Sequence, residues 1–277
     1  MSRVLTTVEQ LAAEVPRPLI LDVRPAEQFA AGHIPGAVHL DLWGVSLIDT
    51  SEAPLRAFMW MIAHLFALRG ISPERPVLVY EQDSGMRAAR ALWLLEYLGH
   101  PDARLLDGGF AHWRRDGGAV STDPITPTPS DWHGTPDPSL LATWRDVHDR
   151  LGHPDTVIVD TRSAAEYYGD AVRAKRGGAI PGAVHLEWKE NLTTSGAYKS
   201  DAELKAMYDA LGVTPDREVV TYCQGGYRAA HTYHALKRIG FPRVRVYTGS
   251  WKEWGDREDL PIERPERRSR PHAPGRG

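Results

Sequence analysis

The 277 residues predict an α/β fold built twice over: two tandem domains, each a parallel sheet covered by helices on both faces. Three observations lead there. Motifs recur in the same order in the two halves, short apolar runs alternate with helical stretches, and a proline-rich segment separates the copies.

The first recurring element is Leu19-Ile20-Leu21-Asp22-Val23-Arg24, matched by Val157-Ile158-Val159-Asp160-Thr161-Arg162. A short apolar run ending in Asp-x-Arg reads as a buried strand closed by a charged turn. Asp22 with Arg24, and Asp160 with Arg162, are therefore expected to be partly buried structural pairs. The second element is His33-Ile34-Pro35-Gly36-Ala37-Val38-His39-Leu40, matched by Ala179-Ile180-Pro181-Gly182-Ala183-Val184-His185-Leu186. The third is the strand run Pro76 to Tyr80, matched by Glu218 to Tyr222, and the last is Leu106 to Trp113, matched by Tyr247 to Trp254. Helical stretches at Ala88 to Leu98 and Ala229 to Ile239 lie between strands, and strands joined through helices pair in parallel. The predicted organisation is a first domain over residues 1–122, a linker over 123–138, a second domain over 139–263 and a Pro-, Arg- and Gly-rich tail over 264–277. The tail is expected to be disordered and is assigned no function.

Composition narrows the function. Charged residues make up 25% and hydrophobic ones 42%, with net charge −3, so the balance asks for neither nucleic acid nor an anionic membrane. The longest apolar run, Ala57 to Leu68, is interrupted by His64 and too short to span a bilayer. The N-terminus lacks the apolar core of a signal peptide, and a cytoplasmic enzyme is the expectation. One cysteine forms no internal disulfide and no cysteine-rich zinc site, and the 12 histidines show no metal-site spacing. No metal or cofactor is expected.

That cysteine, Cys223, stands where the third run ends and a helical stretch begins: Val219-Val220-Thr221-Tyr222-Cys223-Gln224-Gly225-Gly226-Tyr227-Arg228. A sulfur at a strand's carboxyl end faces the free N–H groups of the following helix, and the two glycines let the loop curl its amides inward, which suits an anionic sulfur. Gln224, Gly225, Gly226, Tyr227 and Arg228 are the candidate substrate-binding residues, with Arg228 placed to grip oxyanions bidentately. Relative to the first half, the second carries eight extra residues within 168–178, a basic insertion. It supplies Arg173, Lys175 and Arg176 as further candidates, of which Arg173 and Arg176 are favoured to reach the substrate. Trp43, Trp188 and Tyr227 are candidates for the pocket mouth.

Asp-x-Arg, Ile-Pro-Gly-Ala, a strand-end cysteine loop and Gly249-Ser250-Trp251-x-x-Trp254 together resemble the tandem rhodanese family of sulfurtransferases, over roughly residues 5 to 263. The resemblance implies a silent first domain, where Glu81 holds the place of the cysteine, and a second domain whose Cys223 carries a sulfane sulfur as a persulfide. It implies a small anionic sulfur donor and a cyanide, thiol or protein acceptor. Family members often carry an arginine six residues after the Asp of Asp-x-Arg; that place is Glu166 here, and Arg228 stands where relatives have threonine. Four residues between Cys223 and Arg228 make a smaller cradle than the five of cysteine phosphatases, which disfavours a phosphatase. A non-catalytic binding module is disfavoured because the cysteine is kept. Thiosulfate is the expected donor. The alternative is 3-mercaptopyruvate, whose branch typically shows a serine where this chain has Gly225.

Overall fold

A computed structural model describes residues 4–267, and each half of the chain closes around its own five-stranded parallel sheet. The first half runs β1 (Leu5–Thr6), α1 (Val8–Ala13), β2 (Leu19–Asp22), α2 (Ala26–Ala31), β3 (Val38–His39), α3 (Glu52–Ala67), β4 (Val77–Tyr80), α4 (Met86–Tyr97), β5 (Ala103–Leu106) and α5 (Gly109–Arg115). The second repeats the order as β6 (Leu141–Ala142), α6 (Trp144–Asp149), β7 (Thr156–Asp160), α7 (Ala164–Tyr167), β8 (Val184–His185), α8 (Asp201–Asp209), β9 (Glu218–Tyr222), α9 (Tyr227–Arg238), β10 (Val244–Tyr247) and α10 (Ser250–Asp256). The strand orders are β1-β5-β4-β2-β3 and β6-β10-β9-β7-β8, so the recurrence read in the sequence is a recurrence of topology. Of the tail read over 264–277, residues 268–277 lie outside the described residues.

The central strands are apolar along their length because helices cover both faces. β2 and β4 are buried at every residue, as a parallel sheet between helix layers requires. β4 and β9 are the middle strands, and their carboxyl ends open toward the edge where open parallel sheets bind ligands. α4 and α9 begin at Met86 and Tyr227, two residues ahead of the stretches read from periodicity, because their first turns face the strand-end loops rather than the core.

The Asp-x-Arg pairs are buried more completely than the sequence suggested, at 0–2% exposure. In both halves the arginine Nη2 lies 2.6 Å from the aspartate Oδ2, and the tyrosine ending the neighbouring strand donates to the same oxygen, Tyr80 at 2.5 Å and Tyr222 at 2.6 Å. Each phenol oxygen in turn accepts the N–H of the isoleucine in Ile-Pro-Gly-Ala, from Ile34 at 3.2 Å and Ile180 at 3.1 Å. Three separated motifs thus meet in one buried polar cluster per domain whose members satisfy one another.

The domains pack through α4 and α9, and one apolar cluster containing Ala88, Leu92, Ala230 and Tyr233 runs through both. Two histidines of α9 cross the interface. His231 Nε2 donates to the Ser84 carbonyl and His234 Nε2 to the Ala89 carbonyl, each at 2.9 Å. Burial pushes their pKa values down to about 3 and about 4, so both are neutral donors that seal the interface. Among the described residues no helix is long and apolar enough to cross a membrane.

Candidate active site

Cys223 follows β9 directly and is 1% exposed. The loop behind it is held by α10: Trp251 N–H donates to the Cys223 carbonyl at 2.9 Å and Lys252 N–H to the Gln224 carbonyl at 3.0 Å. With its carbonyls turned outward onto a helix N-terminus, the loop turns one amide to the sulfur: Gly226 N–H donates to Cys223 Sγ at 3.2 Å. Of the two glycines only Gly226 needs its freedom. It sits at φ +88° with the Thr248 carbonyl 3.2 Å from where a Cβ would stand, whereas Gly225 has ordinary backbone and only Ser46 nearby.

Ser250, within the Gly-Ser-Trp motif, holds the cysteine's backbone. Its hydroxyl donates to the Tyr247 carbonyl at 2.7 Å and accepts the Cys223 N–H at 3.1 Å, and it holds φ +52°, rare outside glycine. The Gly-Ser-Trp sequence is thus the turn that clamps the cysteine's backbone. The motif itself was the sequence signal, and the corresponding turn of the first half has Gly109, which also holds positive φ.

The first domain shows the same construction with a different occupant. Phe110 N–H and Ala111 N–H donate to the carbonyls of Glu81 and Gln82, at 2.8 and 2.9 Å. Glu81 Oε1 then accepts the amides of Arg87 at 2.6 Å and Ala88 at 3.0 Å. The N-terminus of α4 is occupied by the protein's own carboxyl group, so the cradle that meets a sulfur in the second domain is already filled by Glu81 in the first. Burial raises the Glu81 carboxyl to about 7 despite those two amides.

A cavity of about 510 Å³ opens over Cys223, with walls from both domains. Trp43, Gly44, Ser46 and Met86 come from the first domain; Ser163, Arg173, Glu187, Trp188 and Lys189 join Cys223, Gln224, Gly225, Tyr227 and Arg228 from the second. The first-domain loop is fixed by long-range bonds. Tyr227 donates its hydroxyl to the Leu42 carbonyl at 2.6 Å, and the buried Glu253 carboxylate accepts the Thr50 N–H at 2.7 Å and its hydroxyl at 2.8 Å.

The sequence-derived basic candidates separate here. Arg173 lines the cavity, 61% exposed, 3.6 Å from Glu166, with its carbonyl accepting from Gln224 Nε2 at 2.9 Å. Arg176, expected at the substrate, is not there. Its guanidinium donates to the carbonyls of Trp254, Gly255, Arg257 and Leu260, capping the carboxyl end of α10, where unpaired carbonyls attract a cation. Lys175 is also absent from the cavity lining, and its backbone N–H binds Asp256. Arg228 does line the cavity, but the bidentate grip expected of it is engaged by Glu166, with Nη1 to Oε2 at 2.6 Å and Nη2 to Oε1 at 2.9 Å. The two departures from the family pattern, Glu166 and Arg228, are partners. Their signal in the sequence was Ser163-x-x-Glu166, a capping box that holds Glu166 at the start of α7.

The rhodanese-like domain model matches twice, at residues 7–116 and 143–257. A thiosulfate sulfurtransferase of Pseudomonas aeruginosa is 35% identical over 259 residues, covering 90% of this chain and 92% of its own length. A probable 3-mercaptopyruvate sulfurtransferase of the same organism is 34% identical, covering 90% and 94%. A sulfur carrier protein of Thermus thermophilus is 34% identical, covering 86% and 87%. Among solved structures, an anaerobic ergothioneine biosynthesis enzyme from Chlorobium limicola superposes with TM-score 0.82 at 23% identity, covering 94% of this chain and 70% of that one, a likeness of fold. The chain belongs to the rhodanese family, as a sulfurtransferase built from two rhodanese-like domains.

Proposed function

We propose that Cys223 takes a sulfane sulfur from thiosulfate, carries it as a persulfide and passes it to cyanide or a thiol. The thiolate attacks the outer sulfur of thiosulfate; a Cys–S bond forms, the bond to the sulfonate sulfur breaks, and its electron pair leaves with sulfite. The acceptor then attacks the terminal persulfide sulfur, and the thiolate returns as leaving group. Each step has negative charge on the sulfur held at Cys223. The observation that carries this reading is the Gly226 N–H aimed at Sγ at 3.2 Å from a loop whose carbonyls are tied outward.

Electrostatics supports an anionic donor. Arg228, Glu166 and Arg173 form a triad with one net positive charge, and Lys189 and Glu187 on the facing wall offset each other. Arg228 therefore serves through the net charge of the triad, with Arg173, Gln224 and the loop amides available to the sulfonate oxygens. Cys223→Ser should retain its fold and lose thiocyanate formation from thiosulfate and cyanide. Retention of most activity ends the proposal.

A second reading has one observation in its favour. Ser46 Oγ lies 3.5 Å from where a Cβ on Gly225 would stand, so the first domain brings a hydroxyl to the place where 3-mercaptopyruvate-using relatives carry a serine. Loss of pyruvate enolate benefits from such a proton donor, whereas sulfite leaves without one. A side-by-side kcat/KM comparison decides between them: thiosulfate is expected to be the better donor, and a larger value for 3-mercaptopyruvate that collapses in Ser46→Ala would reverse the assignment.

A further inference from the structure

Arg90 is a charge that the site described above does not use. It lies in α4 of the first domain, 3% exposed, and its Nη1 has no hydrogen-bond partner. Among the described residues it forms no ion pair with a carboxylate; the small space beside it is shared with Arg87, whose own partner is Asp41 at 2.9 Å, and is otherwise walled by apolar and aromatic side chains such as Val23, Leu42 and Tyr227. The Arg90 guanidinium stands 4.2 Å over the ring of Tyr227, the first residue of α9, with the Phe58 ring at 5.8 Å. A cation removed from water without an anion is costly to keep, and a fold that keeps one has an anion within reach of its field. Two groups whose negative charge would favour it are at hand, the Tyr227 phenol and the Cys223 sulfur. Of these only the sulfur is required to be anionic by the reaction.

We propose that Arg90 is a positioning residue supplied by the first domain, whose buried cation stabilises the anionic sulfur of Cys223, as thiolate and as persulfide, across the domain interface. The proposal rests on Cys223 being the nucleophile. It gives the first domain, which has no cysteine of its own, a part in the chemistry besides walling the cavity: α4 lies against α9, and Arg90 reaches the second domain through the face of Tyr227. Burial, which weakens a cation's hold on its proton, also leaves its field unscreened by water, so a charge that does not touch the reacting atoms still acts on them.

Cys223 is the chain's one cysteine, so alkylation by iodoacetamide reports on it alone. At neutral pH, Arg90→Gln should lower the second-order alkylation rate by about tenfold, and Arg90→Lys, which keeps the charge, should recover most of that loss. A folded Arg90→Gln protein alkylated at the wild-type rate overturns the proposal, as does an Arg90→Lys protein no faster than Arg90→Gln. Should Arg90→Gln fail to fold, the Cys223→Ser background decides. Recovery of folding in the double variant supports a charge pair, because the cation is then no longer needed, and failure of both assigns Arg90 to packing and overturns the proposal. Persulfide formation by the wild-type chain is measured separately, so failure of the nucleophile reading and failure of the Arg90 assignment are distinguishable.

Discussion

Arg228 donates to both oxygens of the Glu166 carboxylate, at 2.6 and 2.9 Å, and so ties the first turn of α9 to the start of α7 beside the nucleophile. Burial alone would raise the Glu166 carboxyl, but the hydrogen bonds and charge of Arg228, with help from Ser163, hold it down at about 2. The arginine is kept charged in turn by Glu166 and by the sulfur of Cys223, against the opposing effect of burial. The positive charge offered to a donor is thus the sum of a network rather than a single free guanidinium.

Arg228→Ala should lower kcat/KM for thiosulfate by roughly ten- to a hundredfold, the scale of removing one net positive charge from beside a small anion. The reason is that Glu166 then cancels Arg173. Arg228→Ala combined with Glu166→Gln restores one net positive charge and should return kcat/KM to within about threefold of wild type. Steady-state kinetics on the three proteins checks this; a double variant as poor as Arg228→Ala would show that Arg228 contacts the donor itself.

The same pair sets an acid limit. A carboxyl held at about 2 in the folded chain, against an ordinary 4.5, contributes stability that is fully present above pH 4.5 and is lost as pH falls toward 2. Glu166→Gln lacks this contribution and leaves Arg228 buried without its partner. Its Tm should lie below wild type at pH 7, with the two curves converging between pH 4.5 and 2. A gap that stays constant across that range would contradict the assignment.

Glu81 has the opposite sign. A carboxyl raised to about 7 in the folded chain favours folding when protonated, so its contribution declines as pH rises from about 4.5 through 7. Glu81→Gln should match wild type near pH 5 and exceed it by a few degrees in Tm at pH 8. Thermal unfolding at the two pH values tests this, and equal Tm values at pH 8 would remove the penalty ascribed to that carboxylate.

Gly225 and Gly226 should differ sharply. Gly226→Ala forces an L-residue into left-handed backbone at φ +88°, at a cost of about 1–2 kcal/mol, and displaces the amide on the sulfur. Its Tm should fall and its activity drop at least tenfold. Gly225→Ala meets nothing closer than Ser46 at 3.5 Å, so its Tm should stay near wild type while the added methyl raises KM. Equal Tm losses in the two variants would mean that the loop's backbone is not the constraint described.

The motifs that could be read from the sequence are those whose partners lie in a repeated order. The strands, the paired Asp-x-Arg turns and the strand-end Cys223 announce themselves locally, and duplication doubled each signal. What could not be read depends on which distant groups meet. The basic insertion held three equivalent cations, and only the fold shows Arg173 at the cavity while Arg176 caps α10. Arg228 was legible as a cation near the sulfur, but not as the partner of a glutamate 62 residues away. Trp43 was named for the pocket mouth and lines the cavity, but Ser46 beside it was not, since the first domain's loop is held there by contacts such as Thr50 with Glu253 that span 203 residues and have no local pattern.

The central claim is that Cys223 carries the sulfur, and intact mass spectrometry after incubation with thiosulfate tests it most directly. The chain should gain one sulfur atom, lose it on treatment with a reducing agent or cyanide, and gain none as Cys223→Ser. A wild-type chain that turns over thiosulfate with no added sulfur at any stage, or a serine variant that still acquires one, would contradict the account.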